Sequence, residues 1–209
     1  MTAIIDYHAG NLTSVRLALE AVGAKGAVTS DPADIASADH VIFPGVGAAA
    51  AAMENLRALG LDAAIRAAVD AGTPFLGICL GTQILFDFSE EDGGTDTLGI
   101  LPGAVRRFHP VSARDKVPHM GWNQVALVRR HPVFAGVPDG SDFYFVHSFY
   151  PDPARDEDSL GRTDFAGITF TSAVARRNVV ATQFHIEKSG KTGLRVLANF
   201  LAWDGKEGA

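Results

Sequence analysis

The only cysteine of the chain, Cys79, lies in the stretch FLGICLGTQ between two glycines. The pattern G-x-C-x-G is the thiol counterpart of the G-x-S-x-G turn that presents a nucleophilic serine between a strand and a helix. An apolar run precedes Cys79 and an amphipathic run follows it, and Gly77 and Gly81 leave room for the tight turn. A buried structural cysteine is the alternative. The combined pattern favours a nucleophile whose thiolate is stabilised by the amides of a helix N-terminus.

A thiol nucleophile needs a base, and His185 is the best placed of the seven histidines. It ends a strand-like run in TQFHIEKSG, and Glu187 follows two residues later. Because residues two apart in a strand share a face, Glu187 is predicted to orient the His185 ring. An exposed polar pair at a strand end is the alternative. Together with the Cys79 turn, the pair indicates a Cys–His–Glu arrangement.

Acyl transfer to a thiol also needs N–H donors for the oxyanion. The stretch FPGVGA follows another predicted strand, and its Gly45, Val46 and Gly47 allow a backbone N–H to turn toward a ligand. The N–H of Leu80, directly after the nucleophile, is the natural second donor. Taken alone, the PGVG sequence is more typical of a plain strand-to-helix turn.

Short apolar runs alternate with helical patterns in the first half of the chain, which predicts a parallel sheet covered by helices on both faces. The strand-like runs are TAIID, GAVTS, HVIFPG and PFLGIC. Helices are predicted over 11–23, after an N-cap at Asp31, over 48–71 with a break at Gly60, and over 80–88.

The second half of the chain changes character. Its closely spaced strand-like runs predict antiparallel or mixed pairing; they are AVRRF, NQVALV, DFYFVHSFY, FAGITF, SAVARR and VVATQFH. A helix is predicted to follow, with Leu194, Leu197 and Leu201 on one face. The fold class is therefore α/β, with a mixed, largely parallel sheet flanked by helices, and residues 1–209 are predicted to form a single domain.

Composition narrows the function classes. The hydrophobic fraction of 47% is typical of a globular protein, and the net charge of −6 gives no support for binding to nucleic acid or to an anionic membrane. A single cysteine cannot form an internal disulfide, which favours a reducing, cytoplasmic setting. The start of the chain lacks the pattern of a signal peptide, and no apolar run approaches the ~18 residues of a transmembrane helix.

The Cys79 turn, the PGVG stretch and the H-x-E pair, in this order, resemble the class I (triad) glutamine amidotransferases. A finer resemblance, over about residues 4–200, is to the glutaminase subunits of imidazole glycerol phosphate synthases. It rests on IIDYHAGN, VPHMGWN, FYFVHSFY and TQFHIEKSG. Other amidotransferases, such as those for anthranilate or GMP, share the Cys79 turn but not the pair PHMGWN and FHIEKSG. The chain departs from the family at His8, Thr82 and Ile186, where Gly, Met and Pro are usual.

The resemblance implies a flavodoxin-like fold and a glutamine amidohydrolase that forms a thioester on Cys79. His185 would be the base and Glu187 its orienting group, and no cofactor or metal is implied. The same resemblance implies four further contacts with the substrate glutamine, the last two through their backbone: Gln83, Glu91, Ser148 and Phe149.

The resemblance also implies a partner, a cyclase subunit with a (β/α)8 barrel that forms a heterodimer with this chain and receives ammonia through a channel. In histidine biosynthesis such a cyclase forms imidazole glycerol phosphate and an aminoimidazole carboxamide ribotide. Met and Trp side chains, which PHMGWN contains, are enriched at interfaces. The implied interface residues are Asn11, Met120, Trp122, Asn123, Tyr144 and Lys188.

Three alternatives remain at this point. A triad glutaminase serving pyridoxal phosphate synthesis would share the Cys–His–Glu residues, but PHMGWN argues against it. A non-catalytic, redox-sensing relative would need only a reactive thiol, so the presence of His185 and Glu187 argues against that function. A cysteine peptidase would act on a peptide, whereas Gln83 and the PGVG stretch favour a small amide substrate.

Overall fold

The computed structural model describes residues 1–9, 11–112 and 115–206. Four short 3-10 turns accompany the helices and strands, over Glu91–Gly93, Pro132–Phe134, Asp156–Asp158 and Ile186–Lys188. The helices are α1 (Leu12–Ala21), α2 (Pro32–Ala36), α3 (Ala49–Ala58), α4 (Leu61–Asp70), α5 (Leu80–Gln83) and α6 (Gly190–Ala202). The strands are β1 (Thr2–Ile5), β2 (Gly26–Thr29), β3 (His40–Gly45), β4 (Phe75–Cys79), β5 (Phe88–Ser89), β6 (Thr95–Asp96), β7 (Gly103–Arg107), β8 (His119–Leu127), β9 (Ser141–His147), β10 (Phe149–Pro153), β11 (Ser159–Phe165), β12 (Ile168–Arg176) and β13 (Val179–Thr182).

Nine strands form the main sheet, in the order β2-β1-β3-β4-β13-β12-β11-β8-β9. The pairs from β2 to β13 are parallel, and those from β13 to β9 are antiparallel. Helices α2, α3 and α4 cover the face to which Ile5 points, and α1 and α6 cover the face of Ile4. The α/β class, the mixed sheet and the cover on both faces are thus confirmed.

The predicted signals for helix ends are confirmed. Gly23 has a φ of +77° just after α1, and the Asp31 side chain accepts a hydrogen bond from the Ala33 N–H at the start of α2. Gly60, at a φ of +68°, separates α3 from α4. Of the three leucines predicted on the face of the last helix, Leu197 is buried, whereas Leu194 and Leu201 are only partly buried.

The predicted helix over 80–88 is wrong beyond its first turn. Ile84, Leu85 and Phe86 are all buried, so this segment has no polar face that a surface helix would need. The carbonyl of Ile84 accepts from the Leu98 N–H at 2.8 Å and that of Phe86 from the Gly99 N–H, which takes the place of further helical bonding. The chain then enters a strand, β5.

Two strand predictions are also wrong in their limits. The run FAGITF contains a hairpin turn at Ala166 and Gly167, whose φ angles of +53° and +77° suit a two-residue turn, and β12 begins only after it. The run DFYFVHSFY is divided at Ser148: β9 belongs to the main sheet, and β10 belongs to a second, four-stranded sheet in the order β10-β7-β5-β6. The sequence did not indicate this second sheet.

The helices of the described ranges are short. The longest, α6, has 13 residues, and none is long and apolar enough to cross a bilayer.

Close backbone contacts hold α5 on the sheet. A Cβ atom on Gly81 would lie 1.9 Å from the carbonyl oxygen of Phe43 in β3, and one on Gly45 would lie 2.6 Å from the Gly81 nitrogen. A Cβ on Gly77 would lie 2.8 Å from the Gly81 oxygen. The prediction that glycines make room for the turn at Cys79 is confirmed.

Gly81→Ala is therefore expected to lower the free energy of unfolding by about 3 kcal/mol, at the upper end of overpacking penalties, because backbone has to move. Gly23→Ala is the matched control, since Gly23 has a positive φ but open space around its Cα, and should cost about 1–2 kcal/mol. Urea denaturation followed by circular dichroism measures both changes. Equal losses in the two variants would contradict the close contact.

Candidate active site

Cys79 occupies a strained turn at the carboxyl edge of the main sheet. Its φ of +55° and ψ of −109° are unusual for a residue other than glycine, and it is the last residue of β4, directly before α5. Such backbone strain clusters at functional sites. The neighbouring parallel strands β3 and β13 end at the same edge, where Gly45 pairs with Cys79 and His185 follows β13 by three residues. The sheet topology therefore brings the predicted nucleophile, base and oxyanion turn together.

His185 and Glu187 are in contact. The Nδ1 atom of His185 lies 2.7 Å from Oε1 of Glu187, and each side chain is only 2% exposed. The contact arises on the 3-10 turn over Ile186–Lys188, not on a continuing strand, so the predicted reason for it was wrong. The same turn accommodates Ile186, the residue that replaces the usual Pro. Because Nδ1 of His185 is hydrogen-bonded to Glu187, Nε2 is the ring nitrogen that can exchange a proton with a reacting group.

The His185 ring favours the charged form. Burial alone would lower its pKa, but the Cys79 and Glu187 side chains outweigh burial and raise the pKa of His185 to about 10. The Nε2 atom is buried without a well-formed hydrogen bond to any described residue. An imidazolium placed in this way can transfer a proton to a leaving group beside Cys79.

A cavity of about 380 Å³ opens over Cys79. Within the described ranges, no cluster of three or more His, Cys, Asp or Glu side chains is arranged to bind a metal ion. Nine predicted site residues line this cavity: Val46, Gly47, Cys79, Leu80, Gln83, Glu91, Ser148, Phe149 and His185.

Two polar side chains at the cavity wall have defined partners. The Nε2 atom of Gln83 donates to the Phe149 carbonyl at 3.1 Å and to Oε1 of Gln183 at 3.0 Å. Oε2 of Glu91 accepts from the Ala49 N–H at 2.7 Å, and burial raises the pKa of the Glu91 carboxyl. Both amide hydrogens of Gln83 are therefore used within the protein, which leaves its Oε1 to accept a hydrogen bond.

The Gly45–Val46–Gly47 turn is held by a tyrosine. The Val46 N–H donates to the Tyr7 hydroxyl, which donates in turn to the Val46 carbonyl, each at 3.1 Å. Tyr7 is buried, and burial raises the pKa of its phenol to about 12, so the hydroxyl keeps its proton. In this structure the Val46 N–H is therefore already hydrogen-bonded to Tyr7 and is not free to bind a ligand in the cavity.

Sequence reasoning missed three residues of the site: Tyr7, His147 and Gln183. His147 lines the cavity, and the Nε2 atom of Gln183 lies 3.7 Å from the Cys79 sulfur. Tyr7 and His147 lie within the stretches IIDYHAGN and FYFVHSFY, but nothing in those stretches shows which side chains turn inward. Gly10 of the first stretch lies outside the described residues. His8 has a φ of +66°, a conformation that explains why glycine is usual there.

Four of the six predicted interface residues lie on or beside the β8–β9 strand pair, namely Met120, Trp122, Tyr144 and Lys188. Met120 and Trp122 lie on β8, where their side chains are 65% and 58% exposed. Trp122 pairs across the strands with Tyr144, and Lys188 Nζ lies 6.0 Å from the Tyr144 ring. Two residues differ from this group, since Asn11 is half-buried before α1 and Asn123 turns its amide inward to donate to the Asp164 carbonyl.

Comparison with known proteins gives a consistent result. The profile of the class-I glutamine amidotransferase family matches residues 3–203. The chain is 54% identical over 207 residues to the imidazole glycerol phosphate synthase subunit HisH of Nitrosococcus oceani, with 97% of each chain covered. It is 51% identical to the subunit of the same name from Dehalococcoides mccartyi, with 96% of each chain covered.

Solved structures show the same fold. A crystal structure of a glutamine amidotransferase matches with a TM-score of 0.74 at 18% identity, covering 96% of this chain and 97% of that one. The PurLQS structure from Thermotoga maritima matches with a TM-score of 0.73 at 20% identity, covering 96% of this chain and 97% of that one.

Glu187→Gln keeps a hydrogen-bond acceptor beside the His185 ring but removes the negative charge. We expect the pKa of His185 to fall from about 10 toward its ordinary value. A ¹⁵N NMR titration measures this shift, with the remote His131 as the internal control. A titration of His185 that is unchanged in the variant would contradict the role of the charge.

The same variant has a predicted effect on stability. A raised histidine pKa stabilises the fold fully below the unfolded value of about 6.5, and this contribution is lost as the pH rises through the folded value. The wild-type protein should lose it up to about pH 10, and Glu187→Gln should lose it at lower pH. Urea denaturation at several pH values measures the pH at which each protein loses this stabilisation, which should be lower for Glu187→Gln.

Proposed function

The chain belongs to the class-I glutamine amidotransferase family, and from this premise we propose that Cys79, His185 and Glu187 are its catalytic triad. Its function is that of the glutamine amidotransferase subunit of imidazole glycerol phosphate synthase, an enzyme of histidine biosynthesis. The triad proposal rests on the His185 ring, which is held by Glu187 on one side and borders the Cys79 cavity with the other.

The reaction follows from these positions. The Cys79 sulfur attacks the side-chain amide carbon of glutamine, and His185, whose ring carries the proton taken from the thiol, gives a proton to the departing ammonia. A glutamyl thioester remains on Cys79. Water then attacks the thioester with His185 as base, which releases glutamate and restores Cys79 and the protonated His185 ring. Glutamine and water are thereby converted into glutamate and ammonia.

We assign the substrate contacts from the hydrogen bonds already made in the site. Gln83 presents Oε1, an acceptor suited to an N–H group of glutamine, and Glu91 supplies a half-buried carboxylate for its ammonium group. The Phe149 carbonyl already accepts from Gln83, so the α-carboxylate is assigned to backbone N–H groups of Ser148 and Phe149.

The oxyanion is assigned to the Leu80 N–H and to an N–H of the Gly45–Val46–Gly47 turn. In the conformation described here, the Val46 N–H is bound to Tyr7. The Val46 N–H could therefore bind the oxyanion only after its hydrogen bond to the Tyr7 hydroxyl is broken. We propose that this restraint keeps the isolated subunit weakly active.

The protein is one subunit of a larger enzyme and acts with a partner subunit. We propose that this partner is a cyclase with a (β/α)8 barrel, that the two form a heterodimer, and that ammonia passes through a channel between them. The exposed Met120 and Trp122, together with Tyr144 and Lys188, supply a suitable apolar and cationic surface. We further propose that residues 1–209 act as a single domain in the cytoplasm.

Glutamate release by the wild-type subunit tests the function. We expect a low rate alone and a large rise when the cognate cyclase and its nucleotide ligand are added. Cys79→Ala should lower the rate at least about 1,000-fold, because the nucleophile is lost. High activity that ignores the cyclase would contradict the proposed partner, and no activity in any mixture would contradict the proposed chemistry.

Tyr7→Phe tests the restraint on the Val46 peptide. Loss of the hydroxyl removes hydrogen bonds to Val46, so we expect glutamate release by the isolated subunit to rise about five- to tenfold, with little change in the cyclase-activated rate. Tyr150→Phe is the matched control, since that phenol lies outside the cavity lining. An unchanged rate in Tyr7→Phe would show that Tyr7 does not restrain the turn.

A further inference from the structure

A chain of three polar side chains connects the surface of β8 with the active-site cavity. The Nδ2 atom of Asn123 lies 3.1 Å from Nε2 of His119, and Nδ1 of His119 lies 3.0 Å from Nε2 of His147. The Nδ1 atom of His147 lies 2.7 Å from the Phe149 carbonyl oxygen. The catalytic steps above use none of these three side chains.

Hydrogen-bond chemistry fixes the position of every proton in this chain. A carbonyl oxygen only accepts, so the proton of His147 is on Nδ1, and the Nε2 of a neutral ring must then accept. His119 consequently donates from Nδ1 and accepts at Nε2. The Asn123 amide donates to that Nε2 and also to the Asp164 carbonyl, while its oxygen accepts from the Gln124 N–H at 2.8 Å.

Aromatic rings hold both imidazoles in place. His119 is stacked between Phe145 and Phe165, with ring centroids 4.6 Å and 4.1 Å away and planes within 23° and 21°. His147 packs 5.4 Å from the ring of Phe170. Burial lowers the pKa of His119 to about 4 and that of His147 to about 3, so both rings are neutral at physiological pH.

The inner end of the chain reaches the substrate-binding residues. The Phe149 carbonyl that accepts from His147 also accepts from Gln83. Gln83 donates its other hydrogen to Gln183, whose own amide approaches the sulfur of Cys79. The carbonyl of Phe149 is therefore the junction between the histidines and the amide that faces glutamine.

We propose that Asn123, His119 and His147 form a positioning relay that fixes the Phe149 carbonyl and, through it, the Gln83 amide for binding of glutamine. The inference rests on the proposed role of Gln83. Asn123 lies on β8 next to Trp122 and close to Met120, so the relay begins on the strand that carries the proposed partner surface. The relay makes the affinity for glutamine depend on the position of that strand.

The proton positions are tested on the wild-type protein, without any substitution. Long-range ¹⁵N–¹H NMR spectra of the histidine rings distinguish the tautomers. We expect His119 and His147 both to carry the proton on Nδ1 and to remain neutral down to pH 5. Protonation on Nε2 in either ring would reverse the direction of the chain and overturn the proposal.

The functional test compares Asn123→Leu with Gln124→Leu in the complex with the cyclase. Asn123→Leu removes the donor to His119, whereas Gln124 is an exposed neighbour on the same strand. We expect the KM for glutamine to rise about tenfold in Asn123→Leu only, since the partly buried hydrogen bond to His119 is lost together with the two that hold the Asn123 amide. The kcat value and the rate of Cys79 alkylation by iodoacetamide should change less than about twofold.

Two substitutions of His119 separate positioning from packing. His119→Phe fills the space between the phenyl rings but cannot donate to His147, whereas His119→Asn keeps a donor at the place of Nδ1. We expect the KM to rise in His119→Phe and to recover at least in part in His119→Asn, with circular dichroism showing that both are folded. Equal KM values for wild type, Asn123→Leu and His119→Phe would overturn the relay.

Failure of the relay and failure of the proposed function give different results. If the wild-type complex releases no glutamate, the proposed function fails. If the wild-type complex is active but its KM is indifferent to Asn123→Leu and His119→Phe, only the relay fails.

Discussion

The contact between α5 and the two central strands leaves no space for a side chain. A Cβ atom on Gly81 would lie 1.9 Å from the Phe43 carbonyl oxygen, so only glycine lets α5 lie this close to β3, and Cys79 makes the turn into α5 with a positive φ. The rest of the site is arranged around the resulting position of the sulfur. Parallel strands on either side end at the same level, so β3 delivers the Gly45–Val46–Gly47 turn and β13 delivers His185.

Buried polar groups around Cys79 are paired with few exceptions. Gln83, Gln183 and Thr82 all bond to partners across the junction of β4, β13 and β10. Two exceptions among the described residues are His185 Nε2 and Glu187 Oε2. A buried atom without a partner is costly in a folded protein, and here the cost falls on two side chains of the proposed triad. In His185, the Nδ1 atom is paired with Glu187, whereas the Nε2 atom of the same ring is unpaired and is the atom proposed to react.

Local patterns sufficed for much of the fold. The alternation of apolar runs and capped helices predicted the parallel half of the sheet, and the spacing around Cys79 predicted its turn. The helix predicted over 80–88 failed because Ile84, Leu85 and Phe86 are buried on all sides, and the 98–101 segment, distant in sequence, binds their carbonyls. The hydrophobic periodicity of a segment does not show which other segment will hydrogen-bond to its backbone.

Some residues of the site could likewise be predicted from local sequence, and others could not. Cys79, His185 and Glu187 could be found from the sequence because each lies in a short motif with a chemical reason for its spacing. The contacts of Tyr7 with Val46 and of His119 with His147 join residues 39 and 28 positions apart. They depend on which strands are neighbours and which side chains turn inward, and the sequence alone did not specify either.

The passage of the chain through Ser148 has a mechanical consequence. On one side of this residue β9 is fixed to β8 in the large sheet, and on the other β10 is fixed to β7 in the small sheet, so the cavity wall is a seam between two separately hydrogen-bonded bodies. A small rotation of one sheet against the other would open or narrow the seam without breaking a bond inside either. The hydrogen bonds that cross the seam, from His147 and Gln83 to the Phe149 carbonyl, would limit such a rotation.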